Sequence, residues 1–180
     1  MIPRPLATVG LTVSLAFGLA ACSGDGGADQ SEPTPVEISV PEADVAAVAA
    51  AMEAVDEELG GAQQYFEVTA NAQNVRLFVK VEGRDRVRSY LYVRGEVVPS
   101  GRAQPADGFT FAAGDVNLEP DVMFDSVAEA APDAIVEEFS IVGTQEGPPR
   151  YAAFARSERG GVIDVVLAED GTVLEVAPGA

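Results

Sequence analysis

The chain has 180 residues, with 11 Lys plus Arg, 29 Asp plus Glu and no His, for a formal net charge of −18. That balance argues against a nucleic-acid partner, which needs a basic patch facing the phosphates. The absence of His removes imidazole bases, ligands and pH switches, and a single Cys allows neither an intrachain disulfide nor a CxxC site.

Arg4 is the only charge before Asp25, an apolar Ala/Leu/Val-rich run covers residues 6–17, and small residues then lead to Cys22. This is the pattern of a secretory signal peptide, expected over residues 1–21. As a spanning helix the uncharged run over residues 5–21 is short and diluted by Gly, Ser and Thr. The junction Leu19-Ala20-Ala21-Cys22 resembles the lipobox of bacterial lipoproteins. In that family the Cys sulfur receives a diacylglyceryl group and cleavage leaves the Cys as the first residue. The resemblance implies a mature chain anchored through Cys22 on the extracytoplasmic face of the cell membrane, where two acyl chains hold stably. Residues 23–35 (SGDGGADQSEPTP) have Ala28 as their only apolar residue and read as a solvated tether, so residues 22–35 supply lipid and spacer.

A first helix is expected from about Ser39. Ser39 and Glu42 have capping-box spacing, and Pro41 suits a first turn. Val45, Val48, Met52, Val55 and Leu59 form one apolar stripe, with Glu53, Asp56 and Glu57 off it, and Gly60-Gly61 ends the helix. Strand patterns follow. Phe66, Val68 and Ala70 alternate with Tyr65, Glu67 and Thr69. Val75, Leu77, Val79 and Val81 alternate with Arg76, Phe78, Lys80 and Glu82. After Gly83-Arg84-Asp85, Val87, Ser89, Leu91 and Val93 alternate with Arg86, Arg88, Tyr90, Tyr92 and Arg94, and Val97-Val98 make a short fourth strand. Such period-two runs mean an antiparallel meander with one dry face, assigned here to the Val/Leu series.

The loop over residues 99–108 holds two Pro and two Gly and divides a first module, residues 36–104, from a second, residues 105–180. The second helix is expected from about Pro120 to Ala131, with Met123, Val127 and Ala130 on one face and Phe124 beside it. Strands are expected over residues 134–142, 150–156, 161–168 and 172–176, with Asp170-Gly171 as a hairpin turn. Placing Val162 under Val87 superposes the hairpin arms at a shift of 75 residues. The expected fold class is α+β: two repeats of one helix followed by a three- or four-stranded antiparallel meander, with the helices packed on the sheet.

One helix followed by such a meander resembles the PepSY-like modules of secreted bacterial proteins. The stretch GVIDVVLAEDGTVLEV, residues 161–176, carries most of the likeness. The tandem arrangement also resembles beta-lactamase-inhibitor-like proteins, whose two such units form a continuous sheet. The resemblance implies inhibition or regulation of exported enzymes, and it carries over no binding residue.

Candidate chemistry is sparse. Asp115, Asn117, Glu119 and Asp121 alternate as the early ligands of an EF-hand loop do, but Pro120 and Ser126 occupy the positions that need Gly and Glu. No metal is expected there. The pairs Glu57/Glu58 and Glu137/Glu138 read as surface charges rather than acid/base pairs. No Ser sits in G-x-S-x-G, Lys80 is the only Lys, and no hydroxyl has an activating base. The chain therefore reads as a non-enzyme without cofactor.

Its most individual surface feature is basic: Arg76, Lys80, Arg84, Arg86, Arg88 and Arg94 fall within 19 positions. Arg86, Arg88, Tyr90, Tyr92 and Arg94 share one side of one strand. They are either the wet face of the sheet, paired with Glu67, Glu82 and Glu96, or a partner-binding face, since Arg and Tyr are enriched in interface hot spots. Two functional classes follow. One is a membrane-anchored, non-enzymatic protein-binding or regulatory lipoprotein with an envelope protein or peptide as partner. The other is a carrier of a small apolar ligand held between helices and sheet, which needs a cavity on the order of several hundred Å³.

Overall fold

The computed structural model describes residues 42–117, 119–157 and 160–179. The signal peptide, Cys22, the tether, and Ser39 and Pro41 of the expected capping box lie outside them. In chain order the elements are α1 (Ala47–Leu59), β1 (Tyr65–Asn71), β2 (Val75–Lys80), β3 (Arg86–Val93), β4 (Glu96–Pro99), β5 (Gln104–Pro105), a 3₁₀ turn (Ala113–Asp115), α2 (Pro120–Ala130), β6 (Ala134–Val142), β7 (Arg150–Ser157), β8 (Val162–Leu167) and β9 (Val173–Pro178).

The expectation of an α+β protein built of two helix-plus-meander repeats is corrected. The nine strands among the described residues form one antiparallel sheet in the order β4-β3-β2-β1-β6-β7-β8-β9, with β5 on β3, and only two helices accompany it. The fold is predominantly β. Its decisive contact is the pairing of β1 with β6 through five residue pairs, from Glu67↔Val142 to Asn71↔Glu138. Separate meanders would each leave β1 or β6 as an unpaired edge, with its N–H and C=O groups unsatisfied. Pairing them removes both edges and merges the buried side chains into one core. The halves also differ from each other: β5 and the 3₁₀ turn occur only before α2, and α1 lies against β1, β2 and β4 while α2 lies against β6 and β9.

α1 begins at Ala47 rather than near Ser39. The Ala43 N–H donates to the Val136 carbonyl at 2.8 Å and the Asp44 N–H to the Asn71 carbonyl at 3.4 Å, so the approach to the helix is tied to the sheet. Asp44 Oδ1 then accepts the Ala47 N–H at 3.2 Å and starts the helix. Gly60, left-handed at φ 82°, ends it, and the Gly61 N–H returns to the Asp56 carbonyl. The apolar stripe is buried from Val45 through Val55, but Leu59 is 38% exposed, so the dry face stops one turn earlier than its spacing suggests. α2 buries Met123 and Val127 and leaves Ala130 exposed.

A bulge between Tyr65 and Glu67 changes which residues of β1 face the helices. Tyr65, Val68 and Ala70 are buried, whereas Phe66 turns away from the core, contrary to the alternation expected for this strand. The Tyr65 hydroxyl donates to Asp56 Oδ1 at 2.6 Å and stands 3.1 Å from the Met52 carbonyl oxygen, tying β1 to α1. Burial raises the phenol pKa well above its usual range, and the adjoining Asp56 carboxylate raises it further.

Candidate binding face

The structure places four of the five residues of the Arg/Tyr ladder, Arg86, Arg88, Tyr90 and Tyr92, on the helix side of β3, not on its wet side. Tyr90 stands opposite Leu77, Tyr92 opposite Val75 and Arg88 opposite Val79. Directly opposed residues of an antiparallel pair share a face, and Val75, Leu77 and Val79 are all buried. Tyr90 is accordingly only 5% exposed, and Tyr92 packs against the core. Arg86 is half-buried and donates through Nη2 to the Ala103 carbonyl; Arg88 is exposed. Arg94 falls beyond β3, in the turn to β4, with φ 54°. The two rings are withdrawn from solvent, so the five residues do not form one exposed surface. The reason is the area at stake: two Tyr rings bury more apolar surface under a helix than Val87, Ser89 and Leu91 do.

The face left uncovered is the opposite one. A row crosses all eight successive strands: Val98, Leu91, Arg76, Thr69, Ser140, Ala152, Val166 and Glu175. A neighbouring row holds Ser89, Phe78, Glu67, Val142 and Arg150. Phe66, Phe78, Val87, Leu91, Val98, Phe109 and Val142 are neither members of the core cluster nor packed against it. Of these, Val98 is 47%, Phe109 50% and Val142 40% exposed.

Charge separates the same region from the rest. Residues 65–105, which hold β1 to β5, contain seven basic and four acidic residues; the remainder contains four basic and 25 acidic. Among the described residues, no carboxylate lies within 4.0 Å of Arg76, Lys80, Arg84, Arg88 or Arg94, so the expected pairing with Glu67, Glu82 and Glu96 is not formed. Among the described residues an ion pair joins Arg156 to Glu137 at 2.6 Å, in the other half of the sheet.

Next to Phe78 the open face deepens into a hollow of about 280 Å³, walled by Phe66, Val87, Phe109 and Val142, with Glu67 and Asp107 at its margin. Residues 106–111 form its rim and are held at both ends. The Ala106 N–H donates to the Asp85 carbonyl at 3.1 Å, and Phe111 exchanges both backbone bonds with Tyr65 at 2.8 and 3.0 Å. The rim crosses the sheet over Gly143, where a Cβ would lie 2.2 Å from the Phe109 carbonyl oxygen; only glycine permits that approach.

Other hollows are less suited to binding. A cleft of about 550 Å³ beside α1 is lined by Glu53, Asp56 and Glu57 with Met52, Ala113 and Val116, and carries the same sign as most of the protein. A crevice of about 270 Å³ between the starts of the helices is lined by Val45, Val48, Phe139, Ile141 and Tyr151. In the alternating series Asp115 Oδ2 accepts the Ala112 N–H at 2.8 Å, and the Asn117 backbone N–H donates to the Tyr151 hydroxyl at 3.2 Å. No group of three or more potential metal ligands is found among the described residues. Glu57 and Glu58 are exposed at the end of α1, Glu137 pairs with Arg156, and Glu138 is exposed opposite Phe154.

Sequence reasoning passed over Phe66, Phe78, Phe109 and Val142. One signal was present: Phe78 is an aromatic residue between Arg76 and Lys80 on the polar series of its strand. No family model, curated protein or solved structure matches this chain.

Proposed function

We propose that the chain is a non-enzymatic lipoprotein, anchored through Cys22 on the extracytoplasmic face of the membrane, that binds an acidic envelope protein on the helix-free face of β1 to β5. One observation carries the reading. A net-basic stretch of a strongly acidic chain, residues 65–105, supplies two exposed cations to an uncovered sheet face, where apolar side chains lie outside the core and Arg76 and Lys80 have no carboxylate within 4.0 Å among the described residues. Unpaired cations steer an acidic partner, and the apolar side chains supply the area that water leaves on contact. Among the described residues no helix is long and apolar enough to cross a membrane; the proposed attachment is the lipid on Cys22. The carrier reading has the weaker support: the crevice between the helices is small, at about 270 Å³, and the larger cleft beside α1 is lined by Glu53, Asp56 and Glu57 rather than by apolar side chains alone.

The test is crosslinked capture from the native envelope with the wild-type chain and with the double change Arg76→Glu, Lys80→Glu. Both side chains are exposed, so the melting temperature should hold. Capture should weaken with salt in the wild type and be lost in the variant. Full capture by a folded double variant would refute the assignment.

A further inference from the structure

Resting on that reading of the open face, we infer that the hollow beside Phe78 is a socket for one uncharged apolar side chain of an extended polypeptide segment, with acidic residues two positions to either side of it. The argument is one of spacing. β2 presents Arg76, Phe78 and Lys80 to the open face, with Leu91, Ser89 and Val87 opposite them on β3. Same-face residues of a strand recur about every 6.6 Å, so the two cations stand roughly 13 Å apart with the ring midway. An extended ligand has the same repeat. A segment laid along β2 with its central side chain in the socket therefore brings residues two before and two after it over Arg76 and Lys80.

Charge decides what enters. Glu67 and Asp107 sit at the margin of the hollow, and Glu67 is held there by a hydrogen bond from Thr69 Oγ1 at 3.0 Å. A carboxylate inside would meet both. A charged group of either sign would give up its hydration against the apolar walls of the hollow. An uncharged apolar group meets Phe66, Val87, Phe109 and Val142 and covers the half-exposed Phe109 ring. At about 280 Å³ the hollow has room for one large side chain.

The test uses the full chain in detergent and fluorescein-labelled peptides read by anisotropy. The probe is Gly-Glu-Ser-Phe-Ser-Glu-Gly; its controls carry Ala or Lys in place of Phe, or place both Glu directly beside Phe. The Phe peptide should saturate one site, and Ala at its centre should weaken binding about tenfold, as for loss of a buried ring. Adjacent acids should weaken it similarly. Arg76→Ala with Lys80→Ala should cost about tenfold and flatten the salt dependence, and Phe109→Ala about fivefold. Leu59→Ala, on the helix side, should change nothing. Circular dichroism melting checks that each variant is folded. Equal binding of the Phe and Ala peptides, tighter binding of the Lys peptide, or no binding of any peptide would overturn the socket. If no peptide binds yet envelope capture is lost on charge reversal, the face reading stands and the socket falls. If the Phe peptide binds as described and capture survives charge reversal, the socket stands and the functional reading falls.

Discussion

Replacing Tyr65 by Phe isolates the bond that ties α1 to the sheet. The ring remains, so the 0% exposed site is still filled and no cavity opens. What is lost is the hydroxyl's bond to Asp56 Oδ1 at 2.6 Å. Bonds to charged acceptors contribute about 1.5–3 kcal/mol. Asp56 is only half-buried and keeps the Gln63 N–H at 3.0 Å, so the expected cost is lower, about 1–2 kcal/mol. For a folded unit of this size that lowers the melting temperature by roughly 3–8 °C. The pH dependence is sharper evidence. The folded state raises the phenol pKa above its unfolded value of about 10. Below that pH both states hold the proton and the contribution is complete. Above it the unfolded chain releases the proton while the folded chain keeps it, so stability falls by about 1.4 kcal/mol per pH unit. Thermal melts of wild type and Tyr65→Phe between pH 8 and 11.5 give the measurement. The two curves should converge as pH rises above about 10. Parallel curves throughout would show that the buried phenol is not linked to folding as argued.

Met52→Ala should destabilise by about 2–5 kcal/mol, while Leu59→Ala, at a 38% exposed site, should cost less than about 1 kcal/mol and Glu53→Ala less than about 0.5 kcal/mol; urea melts rank the three, and equal costs for Met52 and Leu59 would contradict the buried face given for α1. Gly143→Ala drives a Cβ to 2.2 Å from the Phe109 carbonyl oxygen and should cost about 1–3 kcal/mol while shifting the amide resonances of residues 106–111; an unchanged spectrum would mean that the rim does not cross there. Cys22→Ala should release the protein from membranes or leave it as precursor, read by fractionation and mass, and unchanged attachment and processing would remove the proposed anchor.

Several elements could be read from residues alone. Period-two runs mark β2 and β3, Pro120 and Pro132 bracket α2, and Gly60 ends α1, because these signals depend on neighbours in the chain. The composition likewise excluded imidazole chemistry and an intrachain disulfide without any structure. Periodicity shows which residues share a side of a strand, however, and not which side is dry. On β3 the Arg/Tyr series and the Val/Leu series each suited a buried face. The register that sets Tyr90 against Leu77, together with the helix above them, buried the rings. The bulge at Phe66, the late start of α1 and the joining of β1 to β6 are of the same kind: each is fixed by bonds between residues far apart in the chain, such as Ala43 with Val136 and Val68 with Ile141. The socket is the extreme case. Phe66, Phe78, Phe109 and Val142 carry no shared local pattern, and they meet only because one continuous sheet brings their strands side by side and a glycine lets the rim cross it.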